Sequence, residues 1–128
     1  MSVTLAIPYA DMAKQEINDF REKFDCGEPS LNEYLVQTMG QHNKKGITPS
    51  FLLPSTDPLH PLIGYYSLTH GQLDCSGLTE STKKKLKLPN IVPILRLSRL
   101  AIDKHFEKKG FGKILMAEIF YRAQISKQ

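Results

Sequence analysis

Apolar and polar positions along the 128-residue chain change between short β-branched runs and longer helical spacings, which predicts a mixed α/β order. Four strands are predicted, at residues 3–7, 50–53, 62–68 and 94–102. The turn-rich segment 54–58 predicts that the second and third strands pair. The β-branched and leucine content of the fourth strand favours a central position in the sheet.

Helical spacing accounts for much of the remaining chain. Helices are predicted at residues 11–24, 29–39, 78–86 and 110–123, with Pro29 in the first turn of the second. In the last helix the apolar positions that fall on one side are Ile114, Leu115, Ile119 and Phe120. A chain of this length is expected to form one domain, residues 1–128.

Composition adds little to this picture, but it argues against a membrane-spanning protein, a secreted protein and a disulfide-rich protein. Hydrophobic residues make up 41% of the chain, and no apolar run is long enough to span a bilayer. The first residues do not resemble a signal peptide, so a cytoplasmic protein is expected. Cys26 and Cys75 stand apart from each other and from any Cys/His motif, which predicts neither a disulfide framework nor a metal site.

The net charge of +4 is compatible with a polyanionic partner such as tRNA or with an anionic cofactor. Taken alone, this charge is better explained by well-solvated lysines. The densest cluster, residues 83–87, has no interleaved aromatic residues and does not resemble a base-stacking surface.

The most informative segment is residues 99–113, in which a β-branched run ends at Asp103, a basic glycine-spaced loop follows, and a helical pattern begins. Such an order suits a pyrophosphate, because the first turn of a helix presents unpaired N–H groups and partial positive charge. Gly110 and Gly112 remove the Cβ atoms that would keep a ligand away from those amides. The full positive charges around this spot come from Lys108, Lys109 and Lys113.

Residues 107–112, Glu-Lys-Lys-Gly-Phe-Gly, resemble the acetyl-CoA-binding loop of the GNAT N-acetyltransferases, whose pattern is Gln/Arg-x-x-Gly-x-Gly/Ala after the fourth strand. Residues 24–35, 63–68 and 93–101 are similar, in the family's order, to the branch that contains bacterial toxins paired with antitoxins. The resemblance implies a GNAT-like α/β (α+β) fold, with a mixed, mostly antiparallel sheet and helices on both faces. Glu107 departs from the family pattern, and its carboxylate would repel phosphates.

The resemblance also implies a cofactor, acetyl-CoA, and a set of residues that bind it. The main chain of Leu100, Ala101 and Ile102 would face the pantetheine amides. The amides of the loop would hold the pyrophosphate, at Lys108, Lys109, Gly110, Phe111, Gly112 and Lys113. The toxins of this branch acetylate the amino acid on charged tRNA, so the implied acceptor is an aminoacyl-tRNA or a simpler amine, and an antitoxin protein is an implied partner.

The printed sequence ends at Gln128, just past the last predicted helix. Compared with the family, we expect the C-terminal strand, helix and hairpin to be lacking, together with the tyrosine that acts as general acid in the toxins. Two functions therefore stay open. The first is an acetyl-CoA-dependent N-acyltransferase, which a second subunit could complete. The second is a catalytically silent domain that binds CoA or a protein partner without turnover. An exposed edge at residues 94–102 would favour a homodimer.

Several other residues have both a functional and a structural interpretation. His105 could pair with a phosphate, although a solvated surface histidine is the more common case. Tyr65 and Tyr66 could line a cleft, and core packing is their default. Strand alternation predicts that Arg96 and Ser98 share one face and that Arg99 points to the other. Asp25 and Glu28 lie in a loop before the second helix, where a negative charge is favourable.

Overall fold

The computed structural model describes residues 5–87 and 89–126. Its four strands form one antiparallel sheet in chain order: β1 (Ile7–Pro8), β2 (Ser50–Pro54), β3 (Leu62–Asp74) and β4 (Ile91–Ile102). The predicted pairing of the second and third strands is confirmed, with Leu52 opposite Tyr65. The first predicted strand is reduced to two residues here, and its positions 3 and 4 lie outside the described residues.

β4 is the last strand of this sheet, so its predicted central position is wrong for the part of the chain that the structure describes. Its apolar side chains are explained by the helix that covers one face of the strand. A central position, with a strand on both sides, is not needed to explain them. Leu95, Leu97, Leu100 and Ile102 all pack against the cluster that contains Leu115 of the last helix.

The helices are α1 (Lys14–Lys23), α2 (Pro29–Glu33), α3 (Met39–Lys44), α4 (Glu80–Leu86) and α5 (Phe111–Ser126), and a π-helical segment (Tyr34–Thr38) joins α2 to α3. Pro29 occupies the first turn of α2, as predicted. The helical stretch continues to Lys44 and so runs past the predicted end at Met39. Thr79 caps α4, since its hydroxyl accepts a hydrogen bond from the Thr82 amide at 3.2 Å.

Two apolar clusters place helices on opposite faces of the sheet, which confirms the predicted fold class. On one face α1 and the 29–44 helical stretch bury Phe20, Leu35 and Met39 against Tyr65 of β3. On the other face α5 buries Leu115 and Ile119 against Tyr66 and neighbouring side chains. The alternation of side chains along β3 thus gives each face one of two adjacent tyrosines.

The buried face of α5 differs from the predicted one. Ile114 and Phe120 are exposed, and the buried stripe contains Leu115, Glu118 and Ile119. This spacing is still helical, but a carboxylate occupies a position that apolar periodicity assigns to a hydrophobic side chain. None of the helices described is long and apolar enough to cross a membrane.

Candidate functional site

The segment between β4 and α5 has the predicted order of strand, loop and helix. β4 ends at Ile102, a 3-10 turn covers Lys104–Phe106, and α5 begins at Phe111. The glycine-spaced residues therefore lie at the entry to a 16-residue helix. A helix of this length has a developed dipole, with partial positive charge at this end.

Gly110 sits immediately before α5 in a left-handed conformation, with φ of +88°. Its carbonyl oxygen accepts a hydrogen bond from the Ile114 amide at 3.1 Å, at the start of the helix. Phe111, Gly112 and Lys113 come before Ile114 in the chain. Their amides therefore have no carbonyl four residues earlier within the helix that could accept a hydrogen bond. These three N–H groups point out of the helix end and are suited to an anion.

The space in front of this helix end is open. A Cβ atom built on either Gly110 or Gly112 would meet no other atom within 4 Å. Neither glycine is therefore needed to avoid a clash inside the protein. The absence of side chains here instead leaves the backbone accessible to a molecule approaching from outside.

Lysine charge surrounds the same helix end. Lys108, Lys109 and Lys113 are exposed, and Lys108 takes a left-handed backbone conformation with φ of 62°. The Lys109 ammonium lies over the Phe106 ring, 5.9 Å from its centroid. Glu107 is also exposed, so its unfavourable charge toward a phosphate is screened by water.

The base of the loop is fixed by Asp103, which is only 3% exposed. Its amide donates to the Ile63 carbonyl at 2.8 Å, and its carboxylate accepts from the amides of His105 at 2.9 Å and Asp25 at 3.1 Å. One side chain thus joins β4, the 3-10 turn and the loop after α1. Sequence reasoning did not single out Asp103, although an Asp directly before a turn is a frequent cap.

The main chain of Leu100, Ala101 and Ile102 pairs on one side with Tyr66, Tyr65 and Gly64 of β3. The two strands approach closely, because a Cβ on Gly64 would lie 2.5 Å from the Ala101 carbonyl oxygen. The described part of the chain places no strand along the other side of β4. Backbone groups on that side are suited to strand-like hydrogen bonding with amides of a ligand.

Tyr65 and Tyr66 are core residues, as the default interpretation predicts, and both have 0% exposure. The Tyr65 hydroxyl donates to the Leu31 carbonyl at 2.7 Å, and the Tyr66 hydroxyl donates to Glu118 at 3.0 Å. Burial raises the pKa of both phenols well above the usual value. Neither is placed to donate a proton to a molecule at the glycine loop.

A β-bulge changes the predicted faces of the arginines on β4. The register shifts between Ser67 and the next residue of β3, so that Arg99 lies opposite Ser67 and Arg96 lies opposite Thr69. Directly opposed residues share a face, which places Arg96 and Arg99 on the same face and corrects the prediction from simple alternation. The Arg99 guanidinium stacks over the Tyr34 ring at 3.8 Å from its centroid.

Two of the three remaining candidates have structural partners. Asp25 accepts hydrogen bonds from the Gly27 amide and the Asn32 side chain, and these bonds lower its pKa. Glu28 precedes Pro29 at the start of α2, where its side chain makes no capping hydrogen bond. His105 stacks on His60 with 3.9 Å between ring centroids, so it is not simply a solvated surface histidine.

Comparison with known proteins gives the site a context. No family model matches the chain. A tRNA-acetylating toxin of Mycobacterium tuberculosis is 28% identical over 99 residues, which are 77% of this chain and 57% of the toxin. AtaT in complex with acetyl-methionyl-tRNA superposes with a TM-score of 0.66 and 30% identity, over 77% of this chain and 58% of AtaT.

A structure of AtaTR bound with AcCoA gives a TM-score of 0.67 at 30% identity, over 81% of this chain and 60% of the matched one. This chain resembles the toxin-like branch of the GNAT acetyltransferases. It spans a little under two thirds of the length of these relatives.

Proposed function

We propose that the chain is an acetyl-CoA-dependent N-acyltransferase domain of the toxin-like GNAT type, and that its glycine loop binds the pyrophosphate of the cofactor. The observation that carries the proposal is the open helix end at Gly110 and Gly112, where three main-chain amides face empty space beside three exposed lysines. The pyrophosphate of CoA has the charge and the acceptor oxygens that this arrangement suits.

The pantetheine arm is proposed to lie along the side of β4 opposite β3, next to Leu100, Ala101 and Ile102. This strand leads directly into the loop, so one ligand of CoA's length can contact both. The similarity to AtaTR bound with AcCoA supports this assignment. Transfer would then join the acetyl carbonyl carbon to an acceptor nitrogen, with the CoA thiolate as the leaving group.

The proposed acceptor is the amino group of an aminoacyl-tRNA. Its support is the similarity to AtaT in complex with acetyl-methionyl-tRNA and to a tRNA-acetylating toxin. The net charge of +4 is compatible with a polyanionic substrate. Arg96 and Arg99, which share a face of β4, are the cations on the sheet that could approach a tRNA backbone.

A second candidate function is CoA binding without turnover, and the tyrosines favour it. Tyr65 and Tyr66 are buried and hydrogen-bonded, and the Tyr34 hydroxyl bonds to His42 at 3.1 Å. Tyr121 is exposed, but it lies on α5, ten residues after its first position. The Tyr9 hydroxyl accepts a hydrogen bond from Arg21 at 3.0 Å. None of these five tyrosines is thus placed as a proton donor at the loop, and general acid catalysis is worth about 10²–10⁴-fold in rate.

Two measurements on the chain test these functions together. The first is calorimetric titration with CoA, for the wild type and for Gly110→Glu. The second is transfer of a labelled acetyl group from acetyl-CoA to aminoacyl-tRNA and to a simple polyamine. Binding with transfer supports the acyltransferase, whereas binding without transfer supports the silent domain.

Gly46→Glu is the matched control, because Gly46 also has a positive φ, +70°, and also has no atom within 4 Å of a built Cβ. Both variants add the same charge and the same backbone strain. We expect CoA to bind the wild type and Gly46→Glu alike and to bind Gly110→Glu at least about tenfold more weakly. Equal titrations for the two variants, or no heat at millimolar CoA, would refute the proposed site.

We also propose that the chain is cytoplasmic, that it binds an antitoxin protein and that it forms a homodimer. The edge of β4 supplies the physical reason for a protein partner, since an unpaired strand edge offers a row of backbone donors and acceptors. Analytical ultracentrifugation, alone and with a co-expressed antitoxin, distinguishes the two assemblies. A chain that sediments as a monomer at all concentrations would remove the homodimer from the proposal.

A further inference from the structure

Three potential metal ligands meet beside the glycine loop. Asp57 and His60 belong to the turn between β2 and β3, and His105 belongs to the 3-10 turn after β4. One ligand atom from each residue lies within 4.8 Å of the other two. The fold thus brings His105 to two turn residues that lie 45 and 48 positions before it in the sequence, and no local spacing could have revealed the group of three.

We propose that Asp57, His60 and His105 bind one divalent transition-metal ion such as Zn²⁺. Two imidazole nitrogens and one carboxylate oxygen suit Zn²⁺, Co²⁺ or Ni²⁺, whereas Mg²⁺ and Ca²⁺ prefer oxygen ligands alone. Three protein ligands leave one tetrahedral position for water. The proposal is independent of the proposed acetyl transfer, which requires no metal.

Two features of the surroundings favour a metal ion at these residues. The buried carboxylate of Asp103 lies 4.0 Å from His60 Nδ1, which is beyond hydrogen-bonding distance. A small rotation of the His60 ring would bring the two atoms within that distance, and the carboxylate would then orient the ring. Leu59 donates its amide to Asp57 Oδ1 at 2.9 Å, while Asp57 Oδ2 faces His105 Nε2 at 3.8 Å. The Asp57 carboxylate therefore has one oxygen that is hydrogen-bonded to the main chain and one that faces His105.

The two rings have to move before they share an ion. They are stacked within 4° of parallel, with centroids 3.9 Å apart. A metal ion lies in the plane of each imidazole that binds it, so two parallel planes cannot hold the same ion. The side chains of His60 and His105 are 34% and 44% exposed, which leaves one ring room to rotate toward solvent. Binding is therefore expected to break the stack.

Such an ion would connect the β2–β3 turn to the base of the glycine loop. Phe106 contacts both histidine rings edge to face, and its own ring packs against Phe111 at the first position of α5. We expect Zn²⁺ to raise the thermal midpoint of the chain, since an ion that binds only the folded state stabilises it.

The test is a titration of the full chain with Zn²⁺, followed by calorimetry and by NMR of the histidine ring nitrogens. We expect about one ion per chain, with changes at His60 and His105 and none at His70. His105→Ala and Asp57→Asn should bind at least about tenfold more weakly. His70→Ala is the matched control, because His70 is exposed on β3 outside the cluster.

Circular dichroism checks that each variant is folded, and visible absorption of bound Co²⁺ gives a second readout of nitrogen ligation. Equal binding by the wild type and His105→Ala would overturn the proposal, as would the lack of any saturable binding by the folded wild type. Binding that shifts His42 or His70 in place of His60 and His105 would also overturn it.

Discussion

The N-terminal end and the middle of α5 contrast sharply. At the N-terminal end, Gly110 and Gly112 leave main-chain amides open and lysines exposed. In the middle of the helix, Glu118 is 1% exposed and both of its carboxylate oxygens have hydrogen-bond partners. One helix therefore has an end that is ready for an external anion and a middle that already holds an internal one.

The internal anion shows what a completed site looks like in this fold. The Glu118 carboxylate accepts hydrogen bonds from the amides of Leu5 and Ala6 at 3.1 Å and from the Tyr66 hydroxyl at 3.0 Å. Arg122 pairs with it at 3.0 Å and also donates to the Ala6 carbonyl at 2.9 Å. This network ties the N-terminal segment and β3 to α5, so its role is structural.

The largest effect is expected from Glu118→Ala. Removal of the carboxylate takes the ion pair from the Arg122 guanidinium, which keeps its bond to the Ala6 carbonyl, and leaves the two backbone amides without this acceptor. Breaking a buried pair by removing one partner costs about 3–5 kcal/mol. The free energy of unfolding, measured in urea, should fall by this amount, whereas Glu118→Gln should lose less because it keeps one acceptor oxygen.

CoA affinity provides the control for this variant. At a temperature where Glu118→Ala remains folded, its affinity for CoA should match that of the wild type. If Glu118→Ala kept full stability but lost CoA binding, the roles assigned to the end and the middle of α5 would be reversed.

A smaller and opposite effect is expected from Gly112→Leu. A Cβ atom here meets no atom of the protein, and leucine, a good helix former, in place of glycine in a helix adds up to about 1 kcal/mol of stability. The rest of the leucine side chain fills space in front of the helix end, so CoA should bind at least about tenfold more weakly. Stability and affinity should therefore change in opposite directions.

Gly77→Leu is the matched control, since a Cβ on Gly77 also meets nothing within 4 Å and this turn lies before α4. Urea unfolding measures the stability of both variants, and calorimetry should show unchanged CoA affinity for Gly77→Leu. If Gly112→Leu binds CoA as tightly as Gly77→Leu does, the ligand does not approach this helix end.

The smallest effect is expected from Glu107→Gln, which removes the one carboxylate in the loop between the 3-10 turn and α5. An exposed charge contributes about 0.2–1 kcal/mol, so CoA affinity should rise by a few-fold at low salt and less at high salt. Glu16→Gln, which changes the net charge equally on exposed α1, should leave the affinity unchanged. A decrease in affinity for Glu107→Gln would show that this side chain contributes to binding in some other way.

The open N-terminal end of α5 was predictable from sequence, and the hydrogen-bonded Glu118 in its middle was not. Glycine spacing, lysines and the switch from a strand to a helical pattern are local signals, and they predicted the order at residues 99–113. The burial of Glu118 is a tertiary effect, because its partners Leu5, Ala6 and Tyr66 are distant in sequence. The spacing of Glu118 and Arg122, four residues apart on a helix, was the one local hint.

Two other differences between the sequence-based prediction and the structure also come from tertiary contacts. The β-bulge opposite Ser67 places Arg99 on the same face of β4 as Arg96. This bulge depends on how β3 and β4 pair, and the residue pattern of one strand does not show that pairing. The cluster of Asp57, His60 and His105 forms only because the β2–β3 turn folds onto the segment after β4. Local periodicity specifies elements well, but not the register and turns that bring side chains together.

The most direct test of the open helix end is backbone amide NMR of the chain during titration with CoA. The account predicts that the largest chemical-shift changes occur at Gly110, Phe111, Gly112 and Lys113, while the Leu5 and Ala6 amides bound to Glu118 remain unchanged. A titration that saturates with its largest changes elsewhere, or that produces none at these four amides, would contradict it.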